Sequence, residues 1–475
     1  MFDQSFSLNN FETIFNLELR KGRIDFNGMP QDYKDVVANI RWTRCAMSLQ
    51  RKKKMATWTV DEKKDYENNR GLLRHYQEQK DEIVKKVLGR LAAQVNTTAF
   101  RFGITSYMYG TKECFSIDVT DRSKFYAMKT LQRNVVKAFN VEMLNRHTVM
   151  QNLKLQMNTN LPIYVIRTDV SSFFESIKHN RLFALIDRNS VLSVKSKEMT
   201  KNIIREYDRV KNTTLVPKSQ GVPRGIGISS PLSEIYMADI DKEIKGRKEV
   251  MFYSRYVDDI LIILSYLPNQ MNLNKYYQEL ESKFRDEYGL TLQPVGSAKC
   301  ELHDLYKHIL GAPRNQILSY LGYKLYVGGT DDRKVLFGLS DDRKTRFKNR
   351  VDHAFERFGH VVKVDIKQAK RDLRDTINLI TGNIRLLKAK SGVKVGFYYN
   401  NDLLDKDDDF QELEDYLKTK ILPIPANLFA NAADRLAFEA SLKAWINSIS
   451  LRDRWKERLT FDINYVRLRE IERWL

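Results

Sequence analysis

Cysteine is the scarcest residue in this chain. Only three occur among 475 residues, Cys45, Cys114 and Cys300, odd in number and far apart. That spacing excludes a disulfide framework and a cysteine-based zinc finger, and it fits a reducing, cytoplasmic setting. Long apolar runs are missing as well. No stretch approaches the ~20 residues a membrane-spanning helix needs, so no membrane partner is expected. The opening MFDQSFSLNNFETIF carries acids and no extended apolar centre, unlike a secretory signal. No repeat of ~20–50 residues is visible, which excludes a solenoid. Histidines and acids form no H-N-H cluster and no second acidic constellation, so no nuclease, RNase H or integrase module is expected.

Positive charge, by contrast, is plentiful. Lys and Arg total 80 against 60 acids, a formal net charge of +20. Such an excess favours a polyanionic partner, nucleic acid first and an anionic membrane second. The hydrophobic share of 42% suffices for folding, and the length allows two or three domains.

Texture changes twice along the chain. Up to about residue 96 the sequence is charge-rich with helical apolar spacing, as in DYKDVVANIRWTRCAMSLQRKKKM and DEKKDYENNRGLLRHYQEQKDEIVKKVLGRLAAQV. The run Arg51–Lys54 reads as a solvated helix end rather than a dedicated RNA contact. From about 97 to 330, short β-branched and apolar runs alternate with helices. From about 340 helical patterning returns, with Ser340 as an N-cap. NNDLLDKDDDF, 400–410, reads as a loop, and the residues beyond about 420 read as amphipathic helices.

Adjacent aspartates occur at 331–332, 341–342 and within 407–409, where turn and capping chemistry explains them. Asp258–Asp259 is different, because FYSRYV and ILIILS on either side read as strands. The expected result is a tight hairpin with both charges at its tip. Its turn lacks the Asn-Gly or Asp-Gly signature, so turn chemistry alone did not call for the pair. In LPIYVIRTDVSSFFESIKHNRLFALI, Asp169 leaves a buried strand, and a helix is expected from about His179. Three carboxylates at strand ends suit two Mg²⁺ ions, which prefer oxygen ligands and flank an in-line phosphoryl displacement. A third block, SQGVPRGIGISSPLSEIYMADID, offers Gly221, Gly225 and Gly227 for close backbone approach before a helix.

The order TDVSSFFESI, QGVPRGIGISSPLSEIY, YVDD resembles motifs A, B and C of reverse transcriptases. GLTLQPVGSAKCEL resembles motif D, LSYLGYKL resembles motif E, and LQRNV, 131–135, resembles a fingers segment of group II intron and retron enzymes. FFESI, PRGIGIS and ITGNIRLLKAKSGVKVGFYYNN are most similar to the bacterial defence-associated, unknown-group enzymes. DQSFSLNNFETIF resembles their type 3 subgroup.

The resemblance implies an α/β right-hand polymerase: fingers, a palm with an antiparallel sheet, and a helical thumb, with helical N- and C-terminal additions. The corresponding divisions are 1–96 (helical segment), 97–330 (fingers and palm), 331–420 (helical thumb) and 421–475 (helical extension). It implies an RNA-directed DNA polymerase acting in antiphage defence, with a non-coding RNA as template or scaffold. Further expected partners are a DNA product, dNTPs, a second reverse transcriptase subunit and a higher-order oligomer.

Residue by residue, Asp169 and Asp258 would hold two Mg²⁺ ions, for which Mn²⁺ could substitute, with the Val170 carbonyl as a further ligand. Asp259 would support them. Phe174 would be the sugar gate that rejects a ribose 2′-hydroxyl, with Phe173 beside it in the core. Gly225 would lie under the incoming nucleotide, and Lys299 would reach the triphosphate and protonate the leaving pyrophosphate. Lys112, Arg122 and Lys124 are candidate phosphate contacts of the fingers. Arg224 stands where Gln is commonest, which puts the usual template contact in doubt; Ser230 and Glu234 stand where intron enzymes carry Pro and Asn. Alternatives are template-independent or protein-primed synthesis, and a non-catalytic RNA-binding assembly subunit.

Overall fold

The structure, a computed structural model, describes residues 2–20, 28–53, 57–118, 120–142, 145–158, 163–265, 272–305, 315–327, 335–386, 394–422 and 424–475. The aspartate pair at 331–332, Lys54 and the middle of the 380–401 motif (387–393) lie outside the described residues. The elements begin with α1 (Leu8–Arg20), α2 (Gln31–Gln50), α3 (Val60–Val95), β1 (Ile104–Tyr109), β2 (Lys112–Ile117), α4 (Arg122–Ala138) and α5 (Arg146–Met157). The centre supplies β3 (Ile163–Asp169), α6 (Phe173–Ser176), α7 (His179–Arg188), α8 (Val194–Val210), α9 (Ser229–Lys245), β4 (Val250–Tyr256), β5 (Asp259–Ser265), α10 (Leu273–Tyr288) and β6 (Glu301–Asp304). After these come β7 (Asn315–Tyr320), β8 (Tyr323–Val327), β9 (Leu336–Leu339), α11 (Asp341–Val361), α12 (Ile366–Thr381), β10 (Asn383–Leu386) and β11 (Lys394–Gly396). The chain ends with α13 (Phe397–Asn401), α14 (Asp408–Lys418), α15 (Ala432–Asn447), α16 (Leu451–Lys456), β12 (Thr460–Ile463) and α17 (Tyr465–Glu472). No helix among the described residues is long and apolar enough to cross a membrane.

Two compact units emerge. The first comprises Met1–Met143, Ser171–Lys242 and Phe284–Thr291; the second comprises Leu144–Val170, Glu243–Lys283 and Leu292–Leu475. Residues of the stretch 97–330 occur in both units.

The first unit is mostly helical, with one hairpin, β1–β2. Its N-terminal strap is stitched in by polar bonds. Gln4 donates to the Val191 carbonyl at 2.7 Å and accepts from the Ser193 amide at 2.8 Å, while the buried Asn134 donates to the Gln4 carbonyl at 2.9 Å. Phe6 and Phe11 are buried behind it. α3 starts on a capping box, in which Thr59 and Glu62 each satisfy the other's backbone amide.

The second unit is built on a four-stranded sheet in the order β4-β5-β3-β6, all neighbours antiparallel. β3 and β5 are central, which is why IYVIRTD and DILIILS are apolar on both faces. β7, β8 and β9 form a second sheet, and α5, α11, α12 and α14 contribute to the same apolar core. Ser340 caps α11 by accepting from the Arg343 amide, as its position predicts.

Three expectations are corrected here. The run 400–410 is not all loop, because α14 begins at Asp408 with two acids in its first turn, favourable for the helix dipole. The stretch from 331 to 420 is not purely helical, since it contains β9, β10 and β11. Nor are the last residues a separate helical extension: β12 pairs in parallel with β10, and the sheet order is β11-β10-β12.

Candidate active site

The register of the central sheet brings the acids of the second unit together. Asp169, last residue of β3, is the direct antiparallel partner of Asp259, first residue of β5. Tyr256, last residue of β4, is the partner of Asp259 on the other side. The hairpin loop is therefore Val257–Asp258, one residue earlier than a tip carrying both aspartates. Val257 has φ 62° while Asp258 does not have positive φ, the pattern of a turn that usually takes glycine first. A β-branched residue there is strained, a condition that persists where surrounding structure enforces it. Arg255, 5% exposed, helps enforce it by donating to the Val257 carbonyl at 2.8 Å. The Val170 amide donates to the Asp258 carbonyl at 3.0 Å, tying the strand exit to the loop.

Each neighbouring cation has a defined place. Lys299 Nζ lies 3.0 Å from Asp169 Oδ2. Arg167 reaches Asp259 at 3.3 and 3.4 Å and Glu301 at 2.7 Å. Burial pushes the Asp259 carboxyl up to about 6; Arg167 opposes the shift, and the charges of Asp169 and Asp258 add to it. Among the described residues, no three acidic, imidazole or thiolate groups close into a metal-binding cluster. Asp169 and Asp259 instead face Lys299 and Arg167. The donor set still fits hard divalent ions: it is all oxygen, the charges of Asp169 and Asp258 add to the cost of charging Asp259, and a lysine ammonium already stands against Asp169 in a cation's role.

The remaining candidates belong to the first unit. Phe173 is 1% exposed and is a core residue, whereas Phe174 stays partly exposed. The Arg224 guanidinium lies over the Phe174 ring at 5.2 Å and pairs with Glu175 at 2.7 Å. The Val222 amide donates to the Phe174 carbonyl at 2.8 Å, and the Phe115 amide of β2 donates to the Arg224 carbonyl at 2.7 Å. Gly225 has φ 100°, and a Cβ there would stand 2.7 Å from the Phe115 carbonyl oxygen. Glycine is thus required at 225 by the backbone alone. Lys112 is exposed at the β1–β2 turn, and Lys124 lies 3.8 Å from Asp121. Arg122 packs on Gly28 and donates to Met29 Sδ, so packing accounts for it.

Residues 116–325, which include Phe174, Arg224 and Gly225 and the whole acidic site, match the model of the reverse transcriptase (RNA-dependent DNA polymerase) family. These residues have the fold of a reverse transcriptase domain. The chain carries the domain of an RNA-directed DNA polymerase, a nucleotidyltransferase. No curated protein sequence matches the chain. Among solved structures, telomerase from Candida albicans in complex with a TWJ fragment of telomeric RNA aligns at 10% identity and TM-score 0.34, covering 73% of this chain and 64% of that one. Apo telomerase from Candida tropicalis aligns at 13% identity and TM-score 0.36, covering 66% and 59%. The chain spans about three-fifths of the length of these telomerases.

Within the reverse transcriptase domain, sequence reasoning passed over Arg167. The signal was present: IYVIRTD has one cation in an apolar strand, two residues before Asp169 and so on the same face. Glu301 and the buried Tyr320 were passed over too; burial raises the Tyr320 phenol, and Asp259 adds to the effect.

Proposed function

We propose that the chain is an RNA-directed DNA polymerase that adds dNTPs to a 3′-hydroxyl with two Mg²⁺ ions, Mn²⁺ serving as a substitute. The observation that carries this reading is the register pairing of Asp169 with Asp259, next to the Val257–Asp258 turn, inside the residues that match the family. Asp169, Asp258 and the Val170 carbonyl would hold the ions. Bound there, the ions would stabilise the attacking and leaving oxygens of an in-line displacement at the α-phosphate.

The chain's own groups divide the remaining work. Asp259, held by Arg167, supports the site rather than bridging the ions. Lys299 sits at a carboxylate and donates a proton to the leaving pyrophosphate. Phe174, held by Arg224, selects the deoxyribose by steric exclusion. Gly225 keeps the strand-side backbone close to β2 and leaves the nucleotide side unobstructed. The net charge of +20 favours the nucleic-acid partner.

The biological setting follows from the defence-group motifs: antiphage defence, a non-coding RNA as template or scaffold, and a second reverse transcriptase subunit in a larger assembly. Primer extension tests the chemistry. Incorporation should depend on an RNA template and a 3′-hydroxyl, and the product should keep its gel mobility after protease treatment. Product that forms without template, or that shifts on proteolysis, would reject the RNA-directed, nucleic-acid-primed mechanism.

A further inference from the structure

Behind Asp169 and Lys299, within the second unit, lies a buried hydroxyl that the proposed chemistry leaves unused. Strand alternation turns Thr168 away from the side of β3 that Asp169 occupies. Thr168 and Tyr277 of α10 are both 0% exposed, and their hydroxyl oxygens lie 2.6 Å apart. Tyr277 gives its single proton to the Gln293 carbonyl at 2.5 Å, so Thr168 is the donor to Tyr277. The Cys300 thiol, in a residue 5% exposed, is hydrogen-bonded to both hydroxyls. Gln293 in turn donates its amide to the Asp169 carbonyl at 3.0 Å. One phenol thus holds Gln293 and Cys300, the two ends of the segment that carries Lys299.

Between those ends the segment is open to water. Two successive turns shape it, with the Ser297 amide donating to the Pro294 carbonyl and the Cys300 amide to the Ser297 carbonyl, both at 3.1 Å. Residues 294–296, 298 and 299 are exposed. The Lys299 side chain keeps 56% of its surface in solvent, and an ion pair so exposed is too weak to fix a long side chain. A buried hydroxyl is costlier to lose, because its partners are left desolvated and unpaired. Burial also raises the Tyr277 phenol above its usual range, so it stays a protonated donor.

We infer that Tyr277 is a positioning residue: through Gln293 and Cys300 it fixes Lys299 beside the Asp169 carboxylate for proton donation. The Lys299 ammonium gives its proton to the bridging oxygen as the bond from that oxygen to the α-phosphorus breaks, and pyrophosphate leaves. This reacting role of Lys299 rests on the polymerase reading; the anchoring of its segment does not.

Tyr277→Phe, which removes one oxygen and keeps the ring, tests the inference. Alkylation of Cys300, located by mass spectrometry in the protein without nucleotides, should be about tenfold faster in the variant. Thr168→Val, which withdraws the other hydroxyl, should act in the same direction. In primer extension Tyr277→Phe should lower kcat about tenfold and leave KM for the dNTP within about twofold. The loss should deepen for a dNTP whose leaving group is methylene bisphosphonate, more basic than pyrophosphate. It should shrink for the less basic difluoromethylene bisphosphonate, because protonation matters most for the most basic leaving group. In a Lys299→Gln background the same change should cost less than about twofold. An unchanged Cys300 rate in both variants overturns the anchor. A full tenfold loss in the Lys299→Gln background, or a loss independent of the leaving group, overturns the action through Lys299. If the unaltered protein incorporates no dNTP while Cys300 still reacts faster in the variants, the polymerase reading falls and the anchor stands.

Discussion

Asp169 and Asp259 face each other as register partners across the β3–β5 ladder, and each carries its own cation, Lys299 at 3.0 Å and Arg167 at 3.3 Å. Arg167 offsets only part of the cost of burial, which pushes the Asp259 carboxyl up to about 6, with smaller additions from Asp169 and Asp258. The site thus stores electrostatic cost, as expected where a dense anionic group is kept for a ligand.

That cost should be measurable as stability. The folded metal-free protein holds the Asp259 proton up to about pH 6, whereas the unfolded chain releases it near 3.8. Between these values the folded state binds more protons, so stability falls as pH rises through the window. Asp259→Asn should therefore stabilise the metal-free protein at pH 7.5 by about 1–3 kcal/mol, an advantage that vanishes near pH 4. Denaturant titrations of both proteins at the two pH values check this, and a pH-independent difference would refute it.

Val257 tells a parallel story in the backbone. Its φ of 62° suits glycine, and strain of this kind costs about 1–3 kcal/mol. Val257→Gly should raise the unfolding midpoint or leave it unchanged, while lowering dNTP incorporation because the Asp258 loop is no longer held. An equally active variant would mean that the strain has no part in positioning Asp258.

Gly225 should tolerate no side chain. Its φ of 100° and the 2.7 Å approach to the Phe115 carbonyl predict that Gly225→Ala destabilises the first unit by roughly 2 kcal/mol or more. A thermal melt reads this directly, and a neutral result would show that the β2 contact yields easily.

Much of this was legible beforehand where signals are local. Ser340 as a cap, the helix from His179 and the strand ending at Asp169 all follow from short-range patterns. The turn position was not legible, because the cue for a two-residue hairpin is Gly or Asn and this chain places Val257 there. β12 was missed because TFDI is short and its partner, β10, lies far away in sequence, so no local pattern announces the pairing. Arg224 was read as a departure from a motif; its ion pair with Glu175 and its stacking on Phe174 depend on a contact between separate turns.

Phe174 leads to a specificity test. Its partly exposed ring, fixed by Arg224, should exclude a ribose, so Phe174→Ala should raise ribonucleotide incorporation relative to deoxynucleotide by at least about tenfold, some 1.4 kcal/mol of discrimination. Measured kcat/KM ratios for the two nucleotide classes decide it. An unchanged ratio would assign the ring to packing alone.

The most direct measurement is primer extension on an RNA template with Mg²⁺, comparing the unaltered protein with Asp258→Asn. Loss of a carboxylate proposed to hold metal should lower the incorporation rate by about 10³-fold or more, roughly 4 kcal/mol, with template binding retained. Undiminished extension by Asp258→Asn would contradict the account.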